Sequence, residues 1–351
     1  MTRCHKALCA LAIVLAILAA GCGGDGETPS EVVLVTHDSF AISDDVKRAF
    51  EEESGLTLRI LKAGDAGEIV TRALLTAGNP EGDVLFGVDN NLLQRALDGD
   101  VFEAHEATGL DEVDPELLVD PERRATPIDR GDVCLNYDKE WFAERGLEPP
   151  SELADLLRAD YRDLLVVQNP ATSTPGLAFM LATVALYGDG DRWRGFWRGL
   201  RANGVLVVDG WEDAYYARFS GSAGSKGTRP IVVSYASSPP AEVIFRDPRP
   251  ADAPTGVVER SCFRQIELAG VLRGARNEEG ARKLVDYMLS ERFQADIPLQ
   301  MFVFPARVGT DLPLEFEQFA VVPEDPLDLP PEEIEANRER WVDEWTDIVV
   351  R

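Results

Sequence analysis

Few side chains here have the type and spacing that bond-making chemistry requires. His37 and His105 are the only histidines beyond the N-terminal stretch, and the sequence contains no HExxH, CxxC or GxSxG. Zinc hydrolysis and a serine nucleophile on a strand-to-helix elbow therefore lack their parts. Binding chemistry is better supplied. In VVQNPATSTPGLAFM (166–180) a strand-like run breaks into Thr172, Ser173 and Thr174, then a proline and a glycine, before a helical pattern. Thr174 fits the N-cap and Pro175 the first helical position, where its missing N–H is harmless. Free amides and a partial positive charge at such a helix start, with the hydroxyls of Ser173 and Thr174, make either an anion cradle or simply a well-capped helix. The logic recurs at VVSYASSPPAEVIF, where Tyr235, Ala236, Ser237 and Ser238 follow a strand and precede prolines. Strand C-termini are where open α/β sheets bind ligands. Trp211, after Gly210, is either core or a face on which a cationic ring stacks for roughly 0.5–2 kcal/mol. Asp38 and Asp89 follow the first and third strand runs, and each is either a helix cap or a ligand-facing carboxylate.

These residues need strand ends to hold them, and the chain alternates short apolar strands with helical patterns from residue 31 onward, the pattern of an α/β protein. EVVLVT, LTLRIL and DVLFGV read as strands, with a helix from Asp44 to Glu53 capped by Ser43 and closed by Gly55. PIDRGDVCLNYD, DLLVVQ, PIVVSY and ERSCFRQIELAGVL are further strands. SELADLLRADY, LAFMLATVALYG, DRWRGFWRGL, WEDAYYARF and EEGARKLVDYMLS are predicted helices. In the tail, Trp341, Trp345 and Ile348 share one helical face that reads as core. GSAGSKGT (221–228) lacks phosphate-loop spacing and reads as a surface loop.

The 351 residues are 45% hydrophobic, enough for two packed domains. A net charge of −27 argues against nucleic acid as a partner. Residues 1–22 have a basic start, an apolar stretch and small residues before Cys22, the pattern of an export signal. LAAGC resembles the lipobox of bacterial lipoproteins, in which the cysteine becomes the lipidated first residue. GGDGETPS (23–30) reads as a flexible tether. The expected location is exported and lipid-anchored on the outer face of the cell membrane, on the periplasmic or extracellular side. That leaves Cys134 and Cys262 as an even pair in an oxidising compartment, bridged if the two α-carbons come within about 7 Å.

THDSF (36–40), DVLFGVDNNLL (83–93), TSTPGL (172–177), GWEDAY (210–215), SYASSP (234–239) and RERWVDEW together resemble the thiamine-binding periplasmic proteins, the substrate-binding components of thiamine ABC importers. The resemblance runs in order from residue 31 to the C-terminus. It implies the two-lobed type II periplasmic-binding-protein fold with two inter-lobe crossover segments: lobe 1 over 31–127, lobe 2 over 128–260, and 261–351 returning to lobe 1. It implies thiamine or a thiamine phosphate as ligand, ABC permease subunits and the membrane as partners, no cofactor, no metal and no enzymatic activity. Ser173 and Thr174 would meet the ligand's phosphate or hydroxyl end with Gly67 across the cleft, and Trp211 and Tyr235–Ser238 would flank its rings. Cys134 and Cys262 would fall on the two crossing segments. Three positions depart from the family pattern: His37 replaces a tyrosine, Ala66–Gly67 replaces an Asp–Gly pair with Asp65 one step earlier, and Phe302 stands where an aromatic, usually tryptophan, is expected. Ferric-ion binders share this fold, and His37 with Tyr215 and Tyr216 invites the comparison, although adjacent residues on a helix point about 100° apart. An exported enzyme acting on a phosphorylated compound is the remaining alternative.

Overall fold

The computed structural model describes residues 30–351; Cys22 and nearly all of the tether lie outside the described residues. Among the described residues no helix is long and apolar enough to cross a membrane.

The first half alternates β1 (Glu31–Thr36), α1 (Asp44–Ser54), β2 (Thr57–Lys62), α2 (Ala66–Leu75), β3 (Val84–Asp89), α3 (Asn90–Asp98) and the short β4 (Phe102–Glu103). Then come β5 (Thr126–Asp138), α4 (Lys139–Arg145), β6 (Leu165–Gln168), α5 (Thr174–Tyr187), α6 (Asp191–Ala202), β7 (Leu206–Val208), β8 (Ile231–Tyr235) and α7 (Pro239–Ile244). The chain ends with β9 (Thr255–Leu272), α8 (Glu278–Met288), α9 (Glu291–Gln300), β10 (Phe304–Pro305), α10 (Leu314–Phe319) and α11 (Pro331–Val349).

Strand order along the sheet is β2-β1-β3-β9-β5-β8-β6-β7, with β4 pairing β9 and β10 pairing β5. The outer strands of each half are parallel. Among them β1, β3 and β6 are buried along nearly their whole length, as parallel strands covered on both faces are, whereas the edge strand β2 exposes Thr57, Arg59 and Lys62. β5 and β9 are antiparallel and long, 13 and 18 residues. Their one ladder touches β3 near Glu267 and β8 near Val133, so these two strands are the crossover segments shared by both lobes. Cys134 on β5 is bonded to Cys262 on β9, 128 residues apart in sequence, and Ala236 packs beside that pair.

Two segments differ from their predicted helices. SELADLLRADY forms two 3₁₀ turns, Leu153–Leu157 and Ala159–Tyr161, because Arg158 between them is extended (φ −71°, ψ 147°). WEDAYYARF forms a π-helical turn, Asp213–Arg218, in which the Phe219 N–H donates to Ala214 O five residues back at 3.0 Å. Such wide turns recur at functional sites.

Candidate functional site

A cavity of about 590 Å³ opens where strand ends of both lobes converge. On the lobe 1 side, the chain leaving β1 supplies His37 and Asp38. Asp38 is exposed at the cavity rim and shapes its loop, accepting from Gly64 N–H at 3.2 Å. The largely buried His37 places Nε2 3.6 Å from Glu267 Oε1. Burial pushes its pKa down to about 4, with Lys62 adding to the effect and Asp38 opposing it, so the ring is neutral at pH 7. Gly87 makes room for it: at φ +100° a Cβ there would stand 2.5 Å from His37 Cδ2.

Asp65 precedes α2 in the N-cap position without capping it. Its carboxylate reaches instead to the other lobe, where Trp211 N–H donates to Oδ2 at 3.3 Å. Burial raises its pKa to about 6, opposed by the amides of Trp211 and Thr174 and by the Ser173 hydroxyl, which lies near without completing a hydrogen bond. The lobes therefore touch here. Gly67 is what allows the approach, since a Cβ on it would sit 2.7 Å from Thr172 O.

On the lobe 2 side the Thr-Ser-Thr corner divides its labour. Thr172 Oγ1 donates to Asp209 O at 2.6 Å, which fixes the loop leading to Trp211. The N-cap of α5 is Ser173, one residue before the expected Thr174, and Pro175 takes the second helical position. The shift follows from the turn that Asn169 O closes by accepting from the amides of Thr172 and Ser173, after which Ser173 O accepts the first helical bond from Leu177. Neither the Ser173 nor the Thr174 hydroxyl has a hydrogen-bond partner among the described residues, and both are buried. Thr174 borders the main cavity. Ser173 and Gly67 instead line an adjoining crevice of about 30 Å³ with Arg95 and Arg338.

Trp211 is half-buried and forms a wall of the cavity, so it is neither locked in the core nor loose. Its ring stacks on Tyr215 at 4.9 Å and 16°, and Tyr216 meets it edge-on at 5.3 Å. Its Nε1–H donates to Ser234 Oγ at 3.0 Å, which in turn lies 2.9 Å from Ser238 Oγ. The second corner's hydroxyls are thus used inside the protein. Ser238 anchors the tryptophan, and Ser237 Oγ donates to Phe302 O at 2.7 Å. Tyr235 and Ser238 line the cavity, whereas Ala236 and Ser237 do not. Phe302 lines it too, in a left-handed backbone conformation (φ 57°) rare for a bulky residue. Its ring stacks on Phe316 at 6.1 Å.

Asp89 takes the capping role: Oδ1 accepts from Asn91 N–H and Leu92 N–H, both at 3.1 Å, and its side chain is buried away from the cavity. The tyrosine pair does not offer two free phenols. Tyr215 donates to Glu242 at 2.8 Å, and its ring stands at 88° to that of Tyr216. Sequence reasoning passed over Glu267, Glu242 and Asp209, which also line the cavity. Position is what it lacked: Glu267 lies mid-strand in a long apolar run, with no local signal that its face meets the cleft. Among the described residues, eight carboxyl side chains border this cavity against one lysine, Lys62. Such a surface favours a cation, and the stacked aromatics favour a flat one.

The profile of a family described as bacterial extracellular solute-binding protein matches residues 79–329. The "Thiamine-binding periplasmic protein" of Escherichia coli (strain K12) is 30% identical over 324 residues, covering 91% of this chain and 94% of its own length. A solved structure titled "Periplasmic thiamin binding protein" is 28% identical, with a TM-score of 0.78 over 93% of this chain and 98% of that one. The iron-bound HitA from Pseudomonas aeruginosa superposes with a TM-score of 0.71 over 91% of this chain and 99% of that one, at 19% identity, a likeness of fold alone.

Proposed function

Because the chain belongs to the bacterial extracellular solute-binding proteins, we propose that it captures thiamine in its inter-lobe cleft and delivers it to the permease of an ABC importer. The observation that carries this reading is the cavity itself: aromatic walls and eight carboxyl groups around about 590 Å³, a size usual for small-molecule sites. Thiamine has a fixed thiazolium charge and two flat rings. Trp211, backed by Tyr215, gives the cationic ring a stacking face, and Asp38, Asp65 and Glu267 supply counter-charge.

The free vitamin suits this cleft better than its phosphates. The amides at the start of α5 already face the Asp65 carboxylate, so a phosphate arriving there would meet a negative charge. Division into lobe 1 (31–127), lobe 2 (128–260) and a returning segment (261–351) fits a cleft that closes by bending β5 and β9, with closure as the signal to the permease. Export, lipidation of Cys22 and the tether would hold the receptor at the outer face of the membrane.

Calorimetric titration with thiamine, thiamine monophosphate and thiamine diphosphate tests the reading. Affinity should fall in that order, and Trp211→Ala should weaken thiamine binding by about tenfold, near the upper end of a cation–π contact. Absence of thiamine binding, or tightest binding of the diphosphate, would count against it.

A further inference from the structure

Behind the cleft wall, three carboxyl groups stand side by side on neighbouring strands. Asp89 of β3 pairs in register with Glu267 of β9, and Glu267 pairs with Asp129 of β5. Directly paired residues share a face of the sheet, so all three point the same way. Asp89 is fully buried and satisfied by the amides it caps. Asp129 is fully buried too, and neither of its oxygens meets a hydrogen-bond donor among the described residues. Its cross-strand neighbour is Glu267, whose side chain also lines the cavity and is close enough for the two carboxyl groups to perturb each other. Two ionised carboxylates side by side in a buried site repel strongly, and among the described residues no lysine or arginine is paired with either, so ionising both at once is disfavoured.

Resting on the reading of the cleft as a site for a cationic ring, we propose that Glu267, backed by Asp129, is a ligand-facing specificity residue that gives up its shared proton to solvent when the cation arrives. The group is poised for this. Burial first, then the charges of Asp89 and Asp65, push Glu267 up to about 8, and burial with Glu267 beside it drives Asp129 well above its ordinary value. Every other titratable group facing Glu267 is accounted for: His37 from the end of β1 is neutral, Asp65 comes from the start of α2, Asp89 from β3 and the phenol of Tyr235 from β8. None of them is a cation at pH 7, so an incoming positive charge is the one change that favours ionising the pair. Exchange of a proton for a cation keeps the floor's charge balanced before and after binding, and a neutral ring of the same shape would gain nothing from it.

Two measurements decide the matter. In unliganded protein near neutral pH, the infrared difference spectrum between wild type and the Glu267→Gln, Asp129→Asn double variant should contain the carbonyl band of a protonated carboxylic acid. Its absence overturns the proposal whatever the ligand. Calorimetry of thiamine binding in two buffers of different ionisation enthalpy should then show release of up to one proton per ligand, with affinity rising up to about tenfold per pH unit between roughly pH 6 and 8. Glu267→Gln should bind with a flat pH profile. Should that variant not fold, Asp129→Asn serves: an amide donor beside Glu267 should move the profile to lower pH. A parallel titration with N-methylpyridinium separates this proposal from the thiamine reading. Proton release on the pyridinium without thiamine binding sinks the thiamine reading alone, whereas binding of either without proton release, or of neither, sinks this one.

Discussion

Asp65 carries its charge across the cleft to the amides of Trp211 and Thr174, and so ties the two lobes together at the cavity it lines. Asp65→Ala should weaken thiamine binding by about tenfold, the loss of one charge-assisted hydrogen bond of roughly 1.5 kcal/mol. It should also enlarge the radius of gyration of the unliganded protein by X-ray scattering, which loss of a ligand contact alone would not do. Asp65, Asp89 and Glu267 all titrate above their ordinary values in the folded chain, at about 6, about 6 and about 8. The folded state therefore holds these protons more tightly than the unfolded one. Stability from these groups is present at low pH and lost as pH rises from about 4 to about 8. Melting temperature measured against pH should fall more gently over that window in Glu267→Gln than in wild type. The sequence marked Trp211 and the Thr-Ser-Thr corner through their place at strand ends and helix starts, and Asp65 only through the family resemblance. It did not show that the hydroxyls of Ser237 and Ser238 would be consumed by Phe302 and Ser234, because those partners lie far away in sequence or behind an unforeseeable turn.

At the scale of elements, β5 and β9 join two parallel-stranded halves and hold the Cys134–Cys262 bridge between them. The bridge closes a loop of 128 residues. In a chain-entropy account such a loop stabilises by about 4–5 kcal/mol, and native bridges usually give about 2–5. Replacing both cysteines by alanine should lower the melting temperature by at least about 5 °C, at roughly 2–4 °C per kcal/mol for a chain of this size. Thiamine affinity should change little, because neither cysteine lines the cavity. Elements with strong periodicity were legible in the sequence: β1, β3, α1 with its Ser43 cap and Gly55 close, and α8. The misread segments share a cause. Residues 151–161 and 213–218 have helical composition, but their backbone follows side-chain ties, such as Asp155 gathering the amides of Ser151 and Glu152, and packing around Tyr215. Three-residue β7 is too short to carry a period at all.

At the scale of the molecule, the net charge of −27 surrounds a cleft that is itself acidic. Such a field draws a cationic ligand in, and salt screens it over about 8–10 Å at physiological strength. The association rate constant for thiamine, followed by tryptophan fluorescence in stopped flow, should fall several-fold from about 10 mM to about 500 mM salt. The rate for an uncharged analogue should hardly move. The last helix of the fold spans both halves. α11 reaches α3 through Glu339 to Arg95, and α6 through Glu344 to Arg194 and the packing of Trp345 on Trp197. The chain's last helix therefore grips one element from each half. Were the two halves to turn against each other, this helix would have to slip on one of them, and the Trp345–Trp197 contact is where that slip would be resisted.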